Sequence, residues 1–257
     1  MMLDTVTFDV WNTLLVHNFY DDRMKDARIS RIRRALENAG YSFSANDLIR
    51  AYEYTETCLS QLWKQEKDLG LEGHLALFLD GLGLGPDERT KDVIREAYAQ
   101  ALLDFKPSLV DGASELLARL KDKGYRIGLI SNTGRTPGAT VKLVLGGYGL
   151  LKYFDWTTFS NEVGYIKPNR RIFERALDGL GASPAGTVHV GDSMLLDVYG
   201  ARAAGMRSIL FNKYSERFEQ YAVKYYDSNG RHEEPDVTVG DLKDVEAAIE
   251  MLAGLRK

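Results

Sequence analysis

One cysteine, Cys58, is all the thiol chemistry this 257-residue chain carries. An intramolecular disulfide is therefore impossible, and nothing in the cysteine usage points to an oxidising compartment. Charge of one sign is lacking too. The chain has 33 Lys and Arg against 37 Asp and Glu, a net charge of −4. That excludes a global basic field for nucleic acid or an anionic membrane. No apolar run reaches membrane-spanning length. The opening Met1-Met2-Leu3-Asp4 has neither the basic start nor the apolar stretch of a signal peptide. There is no internal repeat and no low-complexity tract. His17, His74 and His232 have no metal-ligand spacing, and Gly200 and Gly205 form no dinucleotide fingerprint. What remains is an ordinary globular composition, 44% hydrophobic and 27% charged. The expectation is a cytoplasmic enzyme for a small molecule, with no nucleic-acid or membrane partner.

Short apolar segments ending in a polar residue recur along the chain. Val6-Thr7-Phe8 leads into Asp9, and residues 126–130 lead into Ser131. Residues 154–159 lead into Ser160, 187–190 into Gly191-Asp192, and 208–211 into Asn212; 236–239 is a sixth candidate. Helical patterns lie between them. Ala113, Leu116, Leu117 and Leu120 form one, with Asp111 placed to cap it and Gly124 to end it. Others follow Asn169 and close the chain from Val245 to Leu252. This alternation predicts an α/β, Rossmann-like core with a parallel sheet. In such sheets ligands bind beyond the carboxyl ends of the strands, where Asp9, Ser131 and Asp192 fall.

Residues 17–105 read differently, as helices alone. The stripe Ile29, Ile32, Leu36 ends at Gly40; a second helix carries Leu48 to Trp63, a third Leu75 to Leu79. A fourth runs from Val93 to Leu102 before Pro107. Core segments 1–16 and 106–257 thus flank an all-helical insert. Arg28, Arg31, Arg33 and Arg34 cluster on its first helix. They read as a solvated face, with an anion clamp over the substrate as the alternative. Cys58 reads as buried filler, His189 as structural, and 212–235 as an irregular excursion.

Asp9 is the first candidate for chemistry. A carboxylate at a strand end is ionised at neutral pH and can attack without a base. Asp192 and Asp197 form a second acidic loop, whose oxygens suit Mg²⁺.

The segments Phe8-Asp9-Val10-Trp11-Asn12-Thr13-Leu14, Ile130-Ser131-Asn132-Thr133, Lys167-Pro168 and Gly191-Asp192 through Asp197 occur in this order. Together they resemble the four motifs of the haloacid dehalogenase-like superfamily, and the insert resembles the helical cap of its first subclass. The resemblance implies a Mg²⁺-dependent phosphohydrolase of small phosphate esters, working through an aspartyl-phosphate on Asp9. Ser131, Asn132 and Lys167 would bind the phosphoryl group, with Ser131 and Lys167 also catalytic. Asp9, Asp192 and the backbone carbonyl of Trp11 would hold the metal, with Asp197 mainly behind them.

Trp11 departs from the pattern. Most of the superfamily's phosphatases carry an acid–base aspartate there, and 2-haloacid dehalogenases an aromatic residue, so Trp11 would line the substrate site. The intact Gly191-Asp192 weighs against a dehalogenase. A third reading is a family member that binds a phosphorylated ligand and hardly turns over.

Overall fold

The computed structural model describes residues 3–16, 23–85, 87–214, 225–226 and 230–254. Its strands are β1 (Thr5–Phe8), β2 (Leu15–Val16), β3 (Ser108–Leu109), β4 (Arg126–Ser131), β5 (Trp156–Phe159), β6 (Thr187–Gly191), β7 (Arg207–Phe211) and β8 (Val237–Val239). Six of them form one sheet in the order β5-β4-β1-β6-β7-β8, every neighbouring pair parallel. This is the expected Rossmann-like core. Strands β1, β4, β5 and β6 run into Asp9, Ser131, Ser160 and Asp192, which gathers these groups along one edge.

The two faces of the sheet differ. Val6, Phe8, Ile127, Leu129, Val188 and Val190 belong to one large apolar cluster. It also takes in residues of α5 (Ala113–Asp122), α6 (Gly138–Gly147) and α10 (Val245–Gly254). The opposite face carries a lateral row of small or polar residues. Gly128 pairs with Thr7, Thr7 with His189, and His189 with Ser208. Against that face lies α8 (Arg170–Leu180), whose Ile172, Phe173, Ala176 and Leu177 cluster with Ile130, Ala201 and Met206. A Cβ at Gly128 would lie 2.6 Å from Leu180 Cδ1, so any larger residue there would make Leu180 of α8 shift. Among the described residues the core also carries the short helices α7 (Ser160–Val163) and α9 (Gly200–Ala203).

Between β2 and β3 the chain forms α1 (Arg23–Asn38), α2 (Ala45–Lys64), α3 (Leu71–Gly81) and α4 (Glu88–Ala99). They bury an apolar cluster of their own around Ile32, Leu36, Leu48, Phe78 and Ile94. The β2–β3 ladder is antiparallel, pairing Leu15 with Leu109, so it ties the departing and returning chain together. The α2–α3 connection docks on the core, where Asp68 N–H donates to Gly164 O and Ser160 Oγ donates to Asp68 Oδ2 at 2.6 Å.

Several sequence expectations change. Asp111 does not cap α5; Gly112 stands at the cap position with φ +82 and no side-chain hydrogen bond is made. The fourth insert helix stops at Ala99, well before Pro107, and Ala101–Asp104 follows as a separate 3₁₀ turn. Cys58 is half-buried rather than core. His17 and most of 212–235 lie outside the described residues. No described helix is long and apolar enough to cross a membrane.

Candidate active site

Strand β1 delivers Asp9, whose N–H still pairs with Val190 O at 2.9 Å. The chain then turns back on itself. Leu14 and Leu15 both donate to Val10 O, and Asn12 takes a left-handed conformation with φ +55. That turn sends the Asn12 side chain toward β6, where Nδ2 donates to Asp192 Oδ2 at 3.1 Å. Asp197 arrives from a π-helical turn, Met194–Tyr199, begun by Ser193. Such turns displace a side chain by part of a helical step. Here the shift brings the carboxylate onto the backbone of Gly191, where a Cβ would stand 2.2 Å from Asp197 Cγ.

Lys167 sits at the centre, only 2% exposed. Its Nζ donates to Asp9 Oδ1 and to Asp197 Oδ1, each at 2.6 Å. Asp197 Oδ1 also contacts His189 Nε2 at 3.0 Å, and Asp197 Oδ2 accepts from Ser193 N–H at 3.0 Å. The oxygens of Asp9, Asp192 and Asp197 come within 4.8 Å of one another.

Three buried carboxylates thus crowd around one ammonium that contacts only two of them, and their proton affinities shift accordingly. Burial pushes Asp9 up to about 7, outweighing the pull of Lys167. Burial, then the charges of Asp197 and Asp9, raise Asp192 well above the carboxylate range. For Asp197 burial also raises, but Lys167 and His189 more than offset it and hold the group ionised. Burial depresses Lys167, yet Asp197 and Asp9 together keep it above its ordinary value. Burial likewise keeps His189 low despite Asp197. With all three acids ionised this cluster has an excess of negative charge, which is the condition a divalent cation relieves. Asp197 already spends its oxygens on Lys167, His189 and Ser193.

The loop after β4 closes the other side. Ser131 is buried, with Oγ 3.4 Å from Asn132 O. The Asn132 amide clasps the Lys167 backbone: Oδ1 accepts from Lys167 N–H at 2.7 Å, and Nδ2 donates to Lys167 O at 3.1 Å. Trp11 Nε1 donates to Asn132 O at 3.1 Å. Thr133 N–H donates to Ser160 Oγ, which passes its own hydrogen to Asp68. The structure thus brings together Asp9, Trp11, Ser131, Asn132, Lys167, Asp192 and Asp197.

One reading of the sequence is overturned here. His189, read as structural, is buried in β6 and touches Asp197. Arg28 is not on the solvated face with its neighbours. It is 2% exposed and reaches Tyr98 O, Tyr52 Oη and Thr136 Oγ1. Arg31 and Arg33 do pair at the surface, with Asp104 and Glu37. No role for Asp68 was legible in the sequence, and none for Asn12 or Ser160 beyond a place in the first motif and at a strand end.

The family model for haloacid dehalogenase-like hydrolases matches residues 3–205. A glyceraldehyde 3-phosphate phosphatase of Methanothermobacter thermautotrophicus is 43% identical over 125 residues, 49% of this chain and 51% of that protein. A human haloacid dehalogenase-like hydrolase domain-containing protein 3 is 39% identical over 102 residues, 40% of this chain and 39% of that one. These matches span about half or less of the relatives' own length. A phosphoserine phosphatase of Thermus thermophilus is 30% identical across 74% of this chain and 73% of its own. Among solved structures, a 2-haloacid dehalogenase from Pseudomonas syringae superposes with TM-score 0.67 at 20% identity, covering 97% of this chain and 99% of that one. A HAD phosphatase from Thermococcus onnurineus gives 0.56 at 23%, covering 96% and 97%. At such identities the superpositions speak to the fold alone. The family model spans most of the chain, and the acids and lysine of the four motifs converge on one strand edge; this chain belongs to the haloacid dehalogenase-like hydrolase family.

Proposed function

We propose that the chain is a Mg²⁺-dependent phosphohydrolase of small phosphorylated metabolites. One observation carries the reading: Asp192 stands beside Asp9 in a buried cluster of three carboxylates, of which the Lys167 ammonium contacts only Asp9 and Asp197. A carbon-attacking dehalogenase has no use for that second acid next to its nucleophile, because it would repel the developing charge. A phosphatase uses it for a cation. Asp9, Asp192 and the backbone carbonyl of Trp11 would hold Mg²⁺, with Asp197 behind them orienting Lys167. When bound, the ion supplies charge neutralisation for nucleophile and phosphoryl oxygens.

The chain's own residues do the rest. Asp9 attacks phosphorus, the bond to the leaving oxygen breaks, and an aspartyl-phosphate forms. Water then attacks that phosphorus and returns Asp9 as a carboxylate. Lys167 neutralises Asp9 and the incoming phosphoryl oxygens, and Ser131 with backbone N–H groups of its loop holds the equatorial oxygens. Asn132 contributes by fixing the backbone of Lys167.

Residues 17–105 act as the cap that chooses the substrate, a reading supported by the separate apolar cluster of the helices and by the β2–β3 tie. The names of the phosphatase relatives favour three-carbon phosphate esters, of the glyceraldehyde 3-phosphate or phosphoserine kind. The lone cysteine fits a reducing cytoplasm. Phosphate and halide release, measured with Mg²⁺ and with EDTA on phosphoesters and 2-haloacids, tests the proposal. Mg²⁺-dependent phosphate release is expected; halide release with no phosphatase activity would overturn it.

A further inference from the structure

Thr7 and His189 are register partners across β1 and β6, on the sheet face that α8 covers. A hydroxyl and an imidazole inside a sheet are costly unless fully hydrogen-bonded. Both nitrogens of His189 have partners. Nδ1 lies 2.9 Å from Thr7 Oγ1, and Nε2 lies 3.0 Å from Asp197 Oδ1. The ring is buried, and Phe173 meets it at 90° with centroids 5.3 Å apart. An ionised carboxylate only accepts, so Nε2 carries a hydrogen. In the neutral ring, the form burial favours, Nδ1 then accepts from the Thr7 hydroxyl, whose other acceptor, Val188 O, lies farther off at 3.5 Å.

Asp197 Oδ1, the atom His189 touches, is also the atom that receives Lys167 Nζ, and the same Nζ reaches Asp9 Oδ1. Thr7, His189, Asp197, Lys167 and Asp9 thus form one continuous line of hydrogen bonds. Remove the imidazole, and Oδ1 keeps only Lys167. The Asp197 carboxylate is then held against rotation by the single N–H of Ser193 on its other oxygen.

We propose that His189 is a positioning residue for phosphoryl transfer. Its Nε2–H fixes the Asp197 carboxylate, and Asp197 in turn keeps the Lys167 ammonium on Asp9 Oδ1. The kinetic part of this inference rests on the phosphatase reading; the tautomer does not.

The test compares wild type with His189→Phe, which fills the same space without a donor, and His189→Gln, which restores an N–H near Nε2. The rate is read as kcat and KM for p-nitrophenyl phosphate with Mg²⁺, alongside thermal melting. Nitrogen-15 NMR of the wild-type imidazole reads the tautomer directly. His189→Phe is expected to lower kcat about 10–100-fold, the usual cost of losing such an outer partner. KM should change far less than kcat, since Ser131 and the N–H groups of its loop still hold the phosphoryl group. His189→Gln should recover a large part of the loss, and the wild-type ring should show the Nε2–H form. Wild-type kcat in His189→Phe, a Gln variant no better than Phe, or an Nδ1–H ring each overturns the proposal. A wild type inactive on every phosphate ester removes the phosphatase reading instead, and the NMR result then decides the arrangement alone.

Discussion

Trp11 spends its indole N–H on the backbone oxygen of Asn132, 3.1 Å away. It bridges the loops after β1 and β4. An indole has no proton to exchange near neutral pH, so this position supplies no acid or base, a loss worth roughly 10²–10⁴ in rate. Leaving groups that depart unaided should be favoured. Aryl and acyl phosphates should turn over faster than alkyl ones, and the aspartyl-phosphate on Asp9 should accumulate. Rapid-mix kinetics should show a burst of leaving group followed by slow turnover. Fast, burst-free hydrolysis of alkyl phosphates would reveal an acid elsewhere.

Asp9→Asn keeps the shape of the nucleophile and removes its charge. Activity should fall to near background while the fold survives, because the variant also relieves repulsion with Asp192 and Asp197. Asp192→Asn should weaken Mg²⁺ at least as much as it lowers the maximal rate. Titration of activity against Mg²⁺ checks both, and substantial turnover by Asp9→Asn would place the nucleophile elsewhere.

Stability should depend on pH and Mg²⁺ together. Asp9, raised to about 7, and Asp192, raised in the same direction, contribute stability in their protonated forms. That contribution is complete below the ordinary carboxylate range and is lost as pH rises through the folded values. Asp197 has the opposite sign, but its loss falls in stronger acid. Mg²⁺ binds the ionised acids, so its stabilisation should be larger at about pH 8 than at about pH 5.5. A hundredfold excess over Kd corresponds to about 2.7 kcal/mol. Thermal melts with and without Mg²⁺ at both pH values read this, and a shift independent of pH would contradict it.

Gly191→Ala should be costly for a local reason. The new Cβ would stand 2.2 Å from Asp197 Cγ. Overpacking of this kind costs typically about 1–3 kcal/mol. The displaced Asp197 should also loosen Lys167 from Asp9, so kcat should fall further than stability explains. Melting and kcat measured on the same preparation separate the two.

Arg28→Lys keeps the buried charge and loses the planar fork that reaches Tyr98 O, Tyr52 Oη and Thr136 Oγ1 at once. At about 1–3 kcal/mol for a buried partner left unpaired, chemical denaturation should register a clear loss. An unchanged denaturation midpoint would mean that the fork carries no stability.

The sheet was legible because its central strands are buried apolar runs that stop at a polar residue. The sequence order of the motifs also anticipated which side chains meet. Contacts made by single atoms were not legible. Nothing in a Lys-Pro pair says that the ammonium reaches two acids on different strands, or that Asn132 spends its amide on the Lys167 backbone. The β2–β3 ladder is two residues per strand, too short for any period to show. Arg28 was legible and passed over. It stands four residues before Ile32 and eight before Leu36, on the same helical row, whereas Arg31, Arg33 and Arg34 do not. Asp111 failed as a cap because Gly112 takes the left-handed conformation at the position a cap side chain would serve.

The pairing of Leu15 with Leu109 and Val16 with Ser108 places the entry and exit of the helical insert side by side. A two-residue Asn-Gly hairpin turn spans such a gap without disturbing the strands on either side. The insert is in this sense a plug-in module, whose ends any segment with neighbouring termini would match. On the proposed function, exchanging the whole segment would change selectivity while the acids and lysine on the strand edge keep their places, and two cuts would be enough to make the exchange.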